Sequence, residues 1–166
     1  ETDILYVDFG CVYQNYYSDG GTTLAMSEPP GELLDRHAAL RECIKAGREA
    51  LRPGVKGSEC HAVMWQTLRE RGITASFPHG HGLGLEVRDY PVLVADNGLR
   101  IGDGCVDEPS DLRLEADMVI NLESAIFMPG VGSLHIERSF VTTAHGSRDL
   151  VPQDREGPFM PLASAG

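Results

Sequence analysis

Apolar and polar positions change their period several times along the chain. Ile4-Leu5-Tyr6-Val7-Asp8-Phe9-Gly10 and Cys11-Val12-Tyr13-Gln14-Asn15-Tyr16-Tyr17 are dense in β-branched and aromatic residues, and predict a β-hairpin turning about Tyr13-Gln14. Gly20-Gly21 and Pro29-Pro30-Gly31 then predict a loop. Over residues 32–51 the apolar positions Leu33, Leu40, Ile44 and Leu51 recur at helical spacing, and Pro53-Gly54 stops that helix. A second helix runs from a Ser58 cap to about Arg71, with Val63, Met64 and Leu68 inward and Gly72 at its end. Phe77-Pro78-His79-Gly80-His81-Gly82-Leu83-Gly84 holds too much glycine for ordinary strand interior and marks a bulge or a close approach of backbones. Residues 92–116 read as irregular. Residues 118–127 and 133–143 predict strands joined by Met128-Pro129-Gly130-Val131-Gly132, and the tail from Ala144 reads as loop. Hairpin, two helices, strands and a second hairpin make an α+β order, with no internal repeat or dividing linker.

Composition narrows the classes. The 166 residues fit one domain that can bury a core without staples. A formal charge of −11 disfavours phosphate backbones and anionic lipid, so no nucleic acid or membrane partner is expected. No apolar run can span a bilayer and no secretory leader is visible. The chain starts at Glu1 and runs almost at once into strand-like sequence, so upstream sequence is expected to be missing. Cys11, Cys43, Cys60 and Cys105 show no zinc-finger spacing, and are expected to be reduced and mostly buried thiols of a cytoplasmic protein.

The acids carry the chemistry. Opposite residues of an antiparallel hairpin have a constant index sum. A turn about Tyr13-Gln14 sets Asp8 opposite Asp19, and a turn about Gly130 sets Glu123 opposite Glu137. Like charges directly opposed destabilise a sheet, and carboxylates amid apolar sequence are costly without a partner. Two such pairs in one chain call for shared counter-charge. Two divalent cations would match four carboxylates, with His81 adding a neutral nitrogen; this donor set suits Mn, Co, Fe or Zn. Two metals roughly 3.5–4 Å apart would activate water and polarise a carbonyl together.

The chain resembles the metallopeptidases that include methionine aminopeptidase, aminopeptidase P, prolidase and creatinase. The likeness rests on Val7-Asp8-Phe9-Gly10, Tyr16-Tyr17-Ser18-Asp19, Gly80-His81-Gly82-Leu83-Gly84-Leu85, Asn121-Leu122-Glu123 and His135-Ile136-Glu137, in that order and spacing. Leu85-Glu86-Val87 brings it nearest to the Xaa-Pro peptidase branch. The resemblance implies the pita-bread fold, a curved antiparallel sheet covered by helices. It implies a partial catalytic domain over residues 1–166, with a metal-binding core over 4–143, a tail over 144–166 and the N-terminal part of the fold absent. It also implies two divalent metal ions, manganese foremost. Asp8 would bind one ion, Asp19 and Glu137 would bridge, and His81 and Glu123 would complete the second. Glu123 would carry the proton from water to the leaving amine, while His79 and His135 would touch substrate or support the ligands. The substrate would be a short peptide or small amide, and the full-length protein a homodimer.

Two departures bear on substrate. Where the family has a second histidine, seven positions after the metal histidine, this chain has Arg88, followed by Asp89-Tyr90-Pro91. Arg88 could stabilise an oxyanion, anchor a substrate carboxylate or pair with Asp89. After Asp19 the chain reads Gly20-Gly21-Thr22-Thr23, where the family has Thr-Arg-Thr. The leading expectation is an Xaa-Pro aminopeptidase or dipeptidase. The alternatives are a creatinase-like or ectoine-hydrolase-like C–N hydrolase, a lyase of small zwitterions, and a catalytically dead binding module. No GxSxG elbow, HExxH helix or phosphate loop suggests another hydrolase class.

Overall fold

A computed structural model describes residues 3–151. A first hairpin pairs β1 (Ile4–Tyr13) with β2 (Tyr16–Ala25). Helices α1 (Gly31–Ala50) and α2 (Gly57–Glu70) follow, then β3 (His79–Gly82) and β4 (Asp89–Leu93). A small separate ribbon joins β5 (Arg100–Asp103) to β6 (Val106–Pro109). The chain then forms β7 (Val119–Met128), β8 (Gly132–Thr143) and β9 (Gly146–Asp149). The main sheet runs β1-β2-β8-β7-β3-β4, with β9 added beside β8, and every pairing is antiparallel.

Alternation of side chains about the sheet sorts this sequence into two faces. Leu122, Ile126, Leu134, Ile136 and Phe140 meet the buried side of α1 and α2, including Leu40, Cys43, Ile44, Cys60, Met64 and Leu68. The three layers touch where α1 carries Gly47. A Cβ there would lie 2.9 Å from side-chain atoms of both Met64 and Leu122, so glycine lets the helices settle onto β7 without shifting those side chains. The opposite face collects odd-numbered residues: Asp19, Gly21 and Thr23 on β2, Asn121 and Glu123 on β7, and His135, Glu137 and Ser139 on β8. His79 and His81 of β3 join them. The pairings His79↔Glu123, His81↔Asn121 and Glu123↔Glu137 place these residues side by side.

Several expectations need correction. The first hairpin turns about Gln14-Asn15, both at positive φ (50° and 69°), which is a two-residue turn of the kind that matches strand twist. The register is therefore Asp8↔Gly21 and Gly10↔Asp19, so the two aspartates are diagonal neighbours rather than opposed. Each acid faces a glycine, which relieves the direct repulsion while keeping both acids on one side. Gly20 and Gly21 lie within β2, not in a loop. Ser58 does not cap α2. The N-cap is Lys56, whose N–H donates to Glu59 Oε2 (2.8 Å), while the Ser58 N–H donates to Asp111 Oδ1 (2.9 Å) and its hydroxyl to Asp111 Oδ2 (2.8 Å), so part of the cap comes from the stretch that read as irregular. That stretch also supplies β5 and β6. The tail holds β9, whereas residues 152–166 lie outside the described residues. The second hairpin keeps its expected register.

Candidate metal centre

Glycine makes the site possible at three points. A Cβ at Gly82 would sit 2.2 Å from the Tyr90 carbonyl oxygen, and one at Gly80 would sit 2.7 Å from that of Asn121. On β2, a Cβ at Gly21 would lie 2.4 Å from the His135 ring. Only bare backbone lets β3 fit between β7 and β4 with His81 buried between its two glycines.

His81 is 1% exposed, and its Nδ1 lies 2.9 Å from the carbonyl oxygen of Gly82. A carbonyl only accepts, so Nδ1 carries a proton and donates to it, and in the neutral ring Nε2 is the nitrogen left with a lone pair. That nitrogen faces carboxylates: Asp19 Oδ2 at 3.7 Å and Glu123 Oε1 at 3.5 Å. These separations are too long for hydrogen bonds, and His81 Nε2 has no hydrogen-bond partner. Glu137, 2% exposed, is in the same condition at Oε2, while its Oε1 accepts from the Asn121 amide. Asp19, His81 and Glu137 each bring one donor atom within 4.8 Å of the others, and Glu123, His135 and Glu137 form a second such group.

The electrostatics divide the acids. Burial raises the Asp19 carboxyl above its ordinary range, and the charges of Asp8 and Glu123 add to that against a smaller opposing effect of His81. Burial also raises Glu137, reinforced by Asp19, Glu123 and Asp8. Burial acts on Glu123 in the same sense, but the imidazoles of His135, His79 and His81 outweigh it and hold that carboxyl well below the usual range. Two acids thus lack counter-charge and the third has it. A buried imidazole nitrogen without a hydrogen-bond partner, an unpartnered carboxylate oxygen and two under-compensated acids form a nitrogen–oxygen donor set, and divalent cations fit it.

Around Glu123 the neighbours are close. His79 Nε2 lies 2.5 Å from Glu123 Oε1, and Arg88 Nη2 donates to the same oxygen at 2.6 Å. Arg88 Nη2 also lies 3.1 Å from His79 Nε2, whose ring donates from Nδ1 to Phe77 O at 3.2 Å. Arg88 thus turns to Glu123 rather than pairing with Asp89. His135, 1% exposed, points Nε2 at Glu123 Oε2 across 3.6 Å and stacks on Tyr6 at 4.6 Å. Asp8 is exposed on β1 and belongs to neither tight group, although its charge raises the Tyr6 phenol together with burial. A cavity of about 540 Å³ opens over His79, Arg88, Glu123 and His135, with Tyr6, Phe77 and Phe127 as its aromatic wall and Asp8 at its side.

The sequence reading passed over four residues here. Asn121 holds Glu137, and its carbonyl oxygen accepts from Ser139 (3.3 Å). The Thr23 hydroxyl accepts from the His135 N–H at 2.7 Å, which fixes β2 against β8. Tyr6 and Phe77 flank His135 and His79. Odd numbering on the site face was the signal that could have found Asn121 and Thr23.

Comparison with known proteins agrees with this arrangement. Residues 1–144 match metallopeptidase family M24. The Xaa-Pro dipeptidase of Pyrococcus horikoshii is 29% identical over 156 residues, covering 93% of this chain and 41% of that protein. The probable dipeptidase PepE of Mycobacterium tuberculosis is 33% identical over 150 residues, covering 89% and 36%. The crystal structure of dipeptidase PepE from Mycobacterium ulcerans superposes with a TM-score of 0.76 at 30% identity, over 88% of this chain and 37% of that one. This chain thus spans about two fifths of the length of such relatives. The α+β arrangement is that of the pita-bread peptidases, as the sequence led us to expect. With its sheet, its paired acids and a match over residues 1–144, the chain belongs to metallopeptidase family M24.

Proposed function

We propose that this chain carries the catalytic centre of a metal-dependent hydrolase of short peptides, of the Xaa-Pro aminopeptidase or dipeptidase type. One observation supports it above the rest: the Nε2 of His81 is buried against Asp19, Glu123 and Glu137 without a hydrogen-bond partner, an arrangement that a cation lying between these groups would satisfy. Asp8, Asp19, His81, Glu123 and Glu137 would hold two divalent ions, manganese foremost, with cobalt, zinc or iron as alternatives. When bound, such ions lower the pKa of water and polarise a scissile carbonyl.

The remaining work falls to this chain's own groups. Glu123 stays ionised at neutral pH and is the carboxylate that accepts a proton at Oε1 or Oε2 and returns it to the leaving amine. His79 and His135 orient that carboxylate and border the substrate. The rings of Tyr6, Phe77 and Phe127 supply the apolar surface that a prolyl ring would occupy. The short peptide would lie in the cavity against this aromatic side. The unpaired thiols support a cytoplasmic setting.

Arg88 favours one second reading, a C–N hydrolase of small carboxylated substrates, because a guanidinium stands where the peptidases have a histidine. A panel of Xaa-Pro dipeptides, Xaa-Pro-Xaa tripeptides and carboxylated cyclic amidines, assayed on the intact protein with Mn²⁺, Co²⁺, Zn²⁺ or Fe²⁺, separates the two. Hydrolysis of the peptides supports the first reading and turnover of the amidines alone the second. No turnover, together with no metal uptake, removes both.

A further inference from the structure

Asn121 sits where the strands of the site meet. It is 0% exposed on β7, two residues before Glu123, and pairs with His81 of β3 on one side and Ser139 of β8 on the other. Its side-chain amide donates to Glu137 Oε1, and its Oδ1 lies 3.3 Å from the Ser139 hydroxyl. That hydroxyl also lies 3.2 Å from the backbone carbonyl oxygen of Asp19 on β2. We propose that Asn121 is a positioning residue of the metal centre, which fixes the plane of the Glu137 carboxylate and leaves Oε2 as its open oxygen. Ser139 in turn holds Asn121. This inference rests on the metal-dependent reading above and adds to it a residue that binds no cation itself.

Three observations carry it. An ionised ligand carboxylate only accepts, so the amide nitrogen of Asn121 faces Glu137 and the amide oxygen faces Ser139, which gives the side chain one orientation. The two oxygens of Glu137 are thereby unequal. Oε1 has the amide, whereas Oε2 is buried without a hydrogen-bond partner, 3.0 Å from where a Cβ at Gly21 would stand. Gly21 is also the residue that pairs with Glu137 between β2 and β8, so bare backbone lies on one side of the carboxylate and a carboxamide on the other. Lastly, the Ser139 hydroxyl has one proton and faces two oxygens that only accept, so it draws Asn121 and the Asp19 backbone together. One chain of contacts, from Asp19 through Ser139 and Asn121 to Glu137, thus ties together the strands that carry Asp19, Glu123 and Glu137. A neighbour that hydrogen-bonds a ligand from behind orients the donor it touches.

The test uses the intact protein, stripped by chelation. Mn²⁺ affinity is read by equilibrium dialysis with elemental analysis, ligand geometry by the visible absorption of the Co²⁺-loaded protein, and folding by circular dichroism melts. Asn121→Leu, close in size but without a donor, should weaken Mn²⁺ binding by about 10- to 100-fold, the range over which neighbours of ligands tune metal affinity, and should shift the Co²⁺ bands. Ser139→Ala, which keeps the carboxamide but releases its oxygen end, should weaken binding in the same direction by a smaller factor. A residue that only packs would lower the Tm of the stripped protein and move neither the Mn²⁺ constant nor the Co²⁺ spectrum. That result in folded Asn121→Leu overturns the inference and leaves the metal-dependent reading standing. Where Asn121→Leu does not fold, an unaltered Mn²⁺ constant in Ser139→Ala overturns it equally. Wild type that takes up neither Mn²⁺ nor Co²⁺ overturns both readings together.

Discussion

At the scale of single residues, the site is defined by a proton. His81 donates a hydrogen bond from Nδ1 to the Gly82 carbonyl and so turns Nε2 towards the acids. Replacing it with alanine should abolish tight metal uptake at the Asp19–Glu137 position and reduce peptide hydrolysis by two or more orders of magnitude; elemental analysis of the purified variant provides the measurement. A second histidine behaves differently. Burial, with the nearby charges of Arg41 and Arg138, lowers His37 on α1 to about 4. Its folded pKa lies below its unfolded value, so the stability it lends is present above about pH 6.5 and is lost as the pH falls towards 4. Denaturant melts across that window should show a loss of order 3 kcal/mol that a His37→Gln variant lacks. The thiols separate by the same physics. Burial pushes Cys43 to about 12 and Cys60 to about 11, whereas Cys11 and Cys105 are exposed. A maleimide at pH 7.5 should therefore modify two thiols quickly and the other two only after unfolding. The expectation of mostly buried cysteines thus holds for half of them.

At the scale of elements, legibility followed the strength of local signals. Both helices were readable because apolar residues such as Leu33, Leu40 and Ile44 keep a helical period and glycine or proline closes each end. The β7–β8 register was readable because Gly130, at φ 79°, marks its turn unmistakably. The β1–β2 register was not, since Gln14 at positive φ is an unusual turn residue and Asn15 alone is a faint cue. Glycine misled at Gly20-Gly21, where it makes room inside a strand rather than breaking one. The Asp111 part of the α2 cap was invisible because Asp111 is 53 residues from Ser58 in sequence. That long-range cap carries its own forecast. Burial tends to raise the Asp111 carboxyl, but hydrogen bonds from Ser58 and the charge of Lys56 win and lower it. Asp111→Ala should cost about 1–2 kcal/mol, seen as a lower Tm, with the difference shrinking under acid as the wild-type carboxylate is protonated.

At the scale of the whole molecule, the same five donors that would bind cations are a source of instability without them. Asp19, Glu137 and Glu123 crowd one face, and burial presses two of them towards protonation. Metal should therefore raise the melting temperature of the intact protein, by the equivalent of about 2.7 kcal/mol when free metal is one hundred times its dissociation constant. Chelator should reverse the shift. A thermal scan with and without Mn²⁺ decides the matter, and indifference to metal would count against the site. The candidate ligands Asp19, His81, Glu123 and Glu137 were legible together because motif order placed them, and the structure brings their donor atoms together. Asp8, on the exposed β1 strand, joins neither close group of donor atoms, although it is the diagonal neighbour of Asp19 and its charge reaches Asp19 and Glu137.

The odd-numbered face has a last consequence, for how this chain can change. Exchanging one residue for another leaves the alternation intact. Inserting or deleting a single residue within β7 or β8 would rotate every later side chain by half a turn, sending Glu123 or Glu137 among Leu122, Ile126 and Phe140 and exposing those apolar groups to solvent. Length variation in descendants of this sequence should therefore gather in the 83–88 loop, the β5–β6 ribbon and the Gly130 turn. Within the central strands only paired changes, which restore the parity, should survive.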